Sequence, residues 1–165
     1  MVAYSNLPEF VGNRGTDLKV YVASSWRNDA QPGVVEALRE AGHQVYDFRN
    51  PHENGSGFHW SDISPQWENW TPEMFIEGLE HPLARKGFAS DYQALDWADA
   101  VVMVMPCGRS AHLELGYAAG QKKTTVIMLT AAEPELMYKM ASHLVINTEQ
   151  MLAALQSRPE TAPSG

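Results

Sequence analysis

The stretch AVVMVMPCGRSAHLELGYAAG, residues 100–120, decides how this chain is read. An unbroken apolar run ends at Pro106, a Gly-containing turn follows, and a helical pattern then begins with Glu114 expected near its first turn. A short continuous apolar run fits a strand covered on both faces of a parallel sheet. In such a sheet, ligands bind where the carboxyl end of a strand meets a helix N-terminus. Glu114 therefore has two readings: a nucleophile or acid/base at a crevice, or an ordinary first-turn acid complementing the helix dipole.

Outward from this stretch, four more apolar runs rich in Val, Ile and Tyr read as strands: residues 18–24, 44–48, 124–129 and 143–146. Helix-period segments lie between them. Residues 32–41 place Val34, Val35, Leu38 and Ala41 on one face, with Pro32 near the start and Gly42 just past the end. Residues 83–98 read as a helix, and residues 111–119 carry Leu113, Gly116 and Tyr117 at helical spacing. Shorter helices are expected at 133–141 and 148–156. Alternating strands and helices predict an α/β fold with a doubly wound, five-stranded parallel sheet, flavodoxin- or Rossmann-like, with helices on both faces.

Two regions break the alternation. Residues 1–17 read as a loosely ordered extension, and residues 49–71 form a long connection containing Pro51, Gly55, Gly57 and Pro65. Connections of that length are usually functional or disordered. This one carries Phe58, Trp60, Trp67 and Trp70, too aromatic for disorder, and reads either as an ordered flap over a ligand or as a satellite core. One domain is expected over 18–157, with 49–71 as a Trp-rich insertion and 158–165 as a flexible tail.

Composition narrows the partners. Of 165 residues, 44 % are hydrophobic and 19 % charged, as in ordinary globular chains. The net charge of −8 argues against a nucleic-acid polymer as ligand, since phosphate backbones favour basic faces. Cys107 is the only cysteine, so no intrachain disulfide forms and a reducing compartment fits. With no signal-like N-terminus and no membrane-length apolar run, the expectation is a cytoplasmic protein without membrane contact.

Several residues stand out for chemistry. In the helix at 83–98, Phe88, Leu95 and Ala98 form a stripe, and Asp91 falls inside it. A carboxylate there is costly to bury without a partner and its pKa should rise, the profile of a tuned acid/base. The plain alternative is a solvated acid where the stripe passes the sheet edge. Tyr21 lies in the first strand, with Ser24, Ser25, Trp26 and Arg27 at its carboxyl end; hydroxyls and a guanidinium there could hold a phosphate or sugar. No G-x-G-x-x-G follows the first strand and no Walker motif is present, which argues against a conventional dinucleotide or P-loop enzyme. The six histidines, including His52 and His59 in one loop, match no common metal-site spacing, so no metal and no cofactor are expected. His112, two residues before Glu114, is expected to line the crevice. Cys107 is a weaker nucleophile candidate without an obvious local His partner.

Three pieces together, VYVASSWR at 20–27, DYQALDWADAVV at 91–102 and ELGYAAG at 114–120, resemble the nucleoside 2-deoxyribosyltransferase superfamily, including the 2'-deoxynucleoside 5'-monophosphate N-glycosidases. The resemblance spans residues 18–146. It implies that Glu114 attacks the anomeric carbon, that Asp91 assists the nucleophile or the leaving base, and that Tyr21 positions the nucleophile. It places Ser25 and Arg27 near the 5' end of the substrate. The family's turn has a polar residue six positions before the glutamate and glycine at four and two before. Here these are Gly108, Ser110 and His112, so Ser110 is expected to take the polar role. Trp26 and Trp60 complete the expected substrate contacts.

The function this implies is cleavage of the N-glycosidic bond of a (deoxy)nucleoside or its monophosphate, the sugar passing to water or to another base. The expected partner is that small molecule, in a homodimer or higher homo-oligomer. A TIR-like NAD-cleaving hydrolase and a non-catalytic nucleotide-binding module are the alternatives.

Overall fold

Five parallel strands lie in the order β2-β1-β3-β4-β5: β1 Lys19–Ala23, β2 Gln44–Asp47, β3 Ala100–Val104, β4 Thr124–Met128 and β5 His143–Val145. The computed structural model describes residues 17–51, 56–130 and 134–156. The tail expected at 158–165, the extension expected at 1–17 apart from Asp17, and His52 and Gly55 lie outside them. Among the described residues, five α-helices connect or flank the strands: α1 Gln31–Glu40, α2 Pro72–Leu79, α3 Pro82–Trp97, α4 Arg109–Gly120 and α5 Thr148–Gln156.

Strand periodicity divides the core into two layers. Val20 and Val22 of β1 and Ala100, Val102 and Val104 of β3 face one side, against Val34, Val35 and Leu38 of α1 and Met151 and Leu155 of α5. Tyr21, Ala23, Val101 and Met103 face the other, against Ala94 and Leu95 of α3 and Ala111, Leu115 and Ala118 of α4. Helices on both faces make the sheet doubly wound, as expected. The winding reverses between β1 and β3, which pair directly in the register Val20↔Ala100 to Ala23↔Met103. Their carboxyl ends open the crevice of an open α/β sheet.

Several expectations need correction. Ala41 caps α1 and is exposed rather than part of its buried face. The helix expected at 133–141 is a 3-10 turn over Leu136–Met140. Pro134 has no N–H to give, and the extended Glu135 caps the turn, its carboxylate accepting from Met137 N at 2.9 Å. Of the residues at helical spacing in α4, Tyr117 packs against the core beside the buried Ala111, Leu115 and Ala118, while Leu113 is 76 % exposed. Phe88 is likewise 67 % exposed. The inward stripe of α3 runs through Ala84, Gly87, Asp91, Ala94 and Leu95. The segment read as one loop holds two 3-10 turns, Trp60–Asp62 and Trp67–Asn69, and leads into α2, which was not foreseen. Among the described residues, no helix is long and apolar enough to cross a membrane.

Candidate active site

The loops leaving β1 and β3 are tied together by one buried side chain. Asn28 Nδ2 donates to Ser24 Oγ at 3.0 Å, Val104 O at 3.1 Å and Pro106 O at 3.2 Å, while its Oδ1 accepts from Ala30 N at 2.9 Å. Arg49 braces the same loop from the end of β2, its guanidinium donating to the carbonyls of Ser25, Trp26 and Asn28 at 3.1, 3.0 and 2.8 Å. Between these loops lies a cavity of about 390 Å³. Ser25, Trp26, Arg27, Trp60, Gly108 and Ser110, all expected at the substrate, line it.

Both acids reach this cavity from helices packed on one sheet face. Glu114 is the sixth residue of α4, not in its first turn, because the helix begins at Arg109. The dipole explanation for Glu114 therefore loses its basis. Glu114 lies three residues after Ala111 and four before Ala118, on the stripe that meets the sheet. Asp91 stands likewise seven residues after Ala84 and four before Leu95 on α3. Both carboxyls line the cavity and both are only partly exposed.

Burial governs their protonation. It pushes the Glu114 carboxyl up to about 7, with the charge of Asp91 adding and a Tyr21 interaction opposing. Burial also raises Asp91, opposed by the hydrogen bond from Tyr46. Beneath the acids, Tyr21 and Tyr46 are register partners across β1 and β2, and their rings stack with centroids 5.2 Å apart. The fully buried Tyr21 hydroxyl interacts with the Glu114 carboxylate but falls short of a well-formed hydrogen bond to any protein group. Burial and the neighbouring carboxylates hold its phenol far above the ordinary tyrosine range.

The opposite wall is aromatic. Trp26 meets Phe48 edge-on at 5.3 Å and His59 at 4.0 Å; Trp60 meets Phe58 at 4.9 Å. Trp70 and Phe75 stand behind Trp60 at 5.8 and 5.6 Å. In the Trp-rich segment, Phe58, Trp60 and Trp67 line the cavity, and Trp70 packs with Trp60 and Phe75 of α2 behind them. Two glycines allow this packing. A Cβ on Gly57 would stand 1.9 Å from Phe48 O, and one on Gly87 would stand 2.8 Å from Phe58 Cβ.

His112 faces elsewhere. Its ring nitrogens meet Gly108 O at 2.8 Å and the Tyr138 hydroxyl at 2.9 Å, and it lines a neighbouring cavity with Cys107, Met105 and Tyr138. A residue two positions before Glu114 is turned about 200° around the helix, whereas Ser110, four before, shares its side. Cys107 does have a histidine neighbour, His112 Nδ1 at 3.8 Å, but burial raises its thiol to about 11, with the charge of Glu114 adding. A thiol that keeps its proton is a poor nucleophile. Among the described residues, no group of three His, Cys, Asp or Glu side chains could hold a metal ion.

Tyr46, Phe48, Asn28, Arg49 and Arg109 were missed in the sequence. Tyr46 alternates with Val45 and Asp47 in a readable strand, but nothing in the pattern says that Tyr21 lies beside it.

No protein-family model and no curated protein sequence matches the chain. Solved structures do. A 2-deoxyribosyltransferase of Bacillus psychrosaccharolyticus is 19 % identical, with 86 % of this chain and 98 % of that one covered and a TM-score of 0.55. The CMP N-glycosidase BcmB of Clostridium botulinum is 15 % identical, with 82 % and 95 % covered and a TM-score of 0.42. The chain has the five-stranded parallel α/β fold of that transferase, as its architecture anticipated.

Proposed function

We propose that this chain cleaves the N-glycosidic bond of a (deoxy)nucleoside or its monophosphate. The observation that carries the reading is the meeting of two differently held carboxyls, Glu114 and Asp91, in one cavity faced by an aromatic wall. The sugar lies over the acids and the base against Trp26, Phe58 and Trp60, where flat rings stack well. Ser25, Arg27, Ser110 and Arg109, with the first N–H groups of α4, suit the 5' end of the substrate, including a phosphate.

Glu114, ionised, attacks the anomeric carbon as the C–N bond breaks and its electron pair leaves with the base. Asp91, in the protonated form that burial favours, gives the leaving nitrogen its proton. Water or a second base then attacks the anomeric carbon, Glu114 departs, and the proton of the incoming nucleophile returns to Asp91. Tyr21 supplies a buried hydroxyl to the Glu114 carboxylate as it leaves and returns. The fold shared with a 2-deoxyribosyltransferase is compatible with this chemistry.

Chromatographic detection of free base tests the reading. Wild type and Glu114→Gln are incubated with deoxynucleosides, their monophosphates, ribonucleotides and NAD, with and without an acceptor base. Base release by wild type alone is expected, and dependence on acceptor marks a transferase. Equal release by Glu114→Gln removes the nucleophile, nicotinamide release from NAD alone points to the TIR-like chemistry, and binding without turnover to a nucleotide-binding module.

A further inference from the structure

We infer that Tyr46 is a positioning residue for Asp91, holding one carboxylate oxygen so that the other is presented to the cavity and to Glu114. The inference rests on the N-glycosidic reading above for its effect on rate, but its geometry stands by itself. Tyr46 Oη donates to Asp91 Oδ1 at 2.8 Å and also contacts Ser90 Oγ at 2.9 Å. A Tyr hydroxyl has one proton, so the bond to Asp91 uses it and Ser90 is left to donate to the phenol oxygen. The Ser90–Tyr46–Asp91 chain is thus directional and ends on the carboxylate.

The placement of the phenol is fixed by the sheet. Tyr46 is paired with Tyr21 in the β1–β2 register, and the two rings stack within 19° of parallel. Each carboxylate of the site is therefore served by its own tyrosine, Tyr21 toward Glu114 and Tyr46 on Asp91. A smaller cavity of about 210 Å³ continues behind Asp91, shared with Tyr46 and Ser90, so without the tether the carboxyl has room to turn away from the substrate.

Titratable and charged groups surround Asp91 from the elements packed against it. Tyr21 on β1, Tyr46 on β2 and Glu114 on α4 act on it or are acted on by it. Arg27, His59 and Arg109 line the cavity in front, and Asp62 and Lys86 the one behind. Among these, the Tyr46 hydrogen bond opposes the upward effect of burial. Removing it should raise the Asp91 pKa further and shift the pH–rate profile to higher pH.

The test is Tyr46→Phe, which keeps the ring stack and deletes the hydroxyl. The expected result is a kcat lower by about tenfold with KM within about twofold, as for loss of one hydrogen bond that positions the carboxyl. The Asp91 carboxyl, followed by carbon NMR in the substrate-free protein, should titrate at higher pH than in wild type. An unchanged kcat and pH profile, with an unmoved Asp91 titration, overturns the inference even if thermal stability drops. If wild type releases no base but the Asp91 titration still moves, the positioning stands and the glycosidic reading falls. Should Tyr46→Phe fail to fold, Ser90→Ala is expected to shift the Asp91 titration in the same direction by a smaller amount, and no shift overturns the proposal.

Discussion

Asn28 Nδ2 donates to the carbonyl of Pro106 at 3.2 Å and so joins the loop after β1 to the loop after β3, the two walls of the crevice. Asn28 is 3 % exposed, and its amide also satisfies Ser24 and Val104. Asn28→Ala should cost about 2 kcal/mol, because the Pro106 carbonyl loses its side-chain donor and Val104 O keeps only Ser24 Oγ as side-chain donor, read as a lowered urea midpoint with unchanged slope. Asn28→Asp keeps the shape but turns an acceptor toward those carbonyls, and should cost at least as much. A milder effect from Asp than from Ala would show that the amide is not acting as donor.

Gly87 gives a prediction that helix propensity alone gets wrong. By propensity, Gly87→Ala within α3 should stabilise by about 1 kcal/mol. Its new Cβ, however, would meet Phe58 Cβ at 2.8 Å, an atom that cannot swing aside. The segment carrying Phe58 and Trp60 must shift outward. The expected outcome is no gain in melting temperature and a KM for nucleoside raised about tenfold with a smaller change in kcat. A melting temperature raised by a few degrees with KM unchanged would show that the wall yields without consequence.

Glu114 couples stability to pH. Its folded carboxyl is raised from 4.5 to about 7, so the unfolded chain releases the proton first as pH rises. The contribution is fully present below about 4.5 and is lost as pH climbs through about 7, at most about 3 kcal/mol. Asp91, also raised, acts in the same direction. Glu114→Gln has nothing to lose there. It should match wild type in urea unfolding near pH ~4 and exceed it near pH ~8. Base release should rise through the same range as Glu114 ionises. Parallel stability curves for the two proteins would place Glu114 in a solvated setting.

Much of this was legible because parallel sheets write themselves plainly. The runs containing Val20, Val102 and Val126 are apolar on both faces, and alternating with helical patterns they fit strands sandwiched between helix layers. Glu114 and Asp91 were legible as acids facing one crevice, although Glu114 was read a turn too close to the start of its helix. Their partners were not. Period-two alternation gives a face to Tyr46 but no neighbour, and register is a property of two segments rather than one. Helix arithmetic could have removed His112, and the Thr71–Pro72 pair, a capping hydroxyl followed by an N1 proline, could have announced α2. The wall built on Gly57 and Gly87 lay beyond reach, since a missing side chain says nothing of what will fill its place.

The two helix layers carry unequal responsibility. Both acids ride on α3 and α4, whereas α1 and α5 pack the opposite face through Val34, Leu38, Met151 and Leu155 and bring no side chain to the cavity. Drift or redesign within the α1–α5 layer therefore changes how long the protein survives heat while leaving the cavity and its two acids alone. Even small volume changes under α3 or α4 move a carboxyl. One side of this sheet is free to be improved as material, and the other only as an instrument.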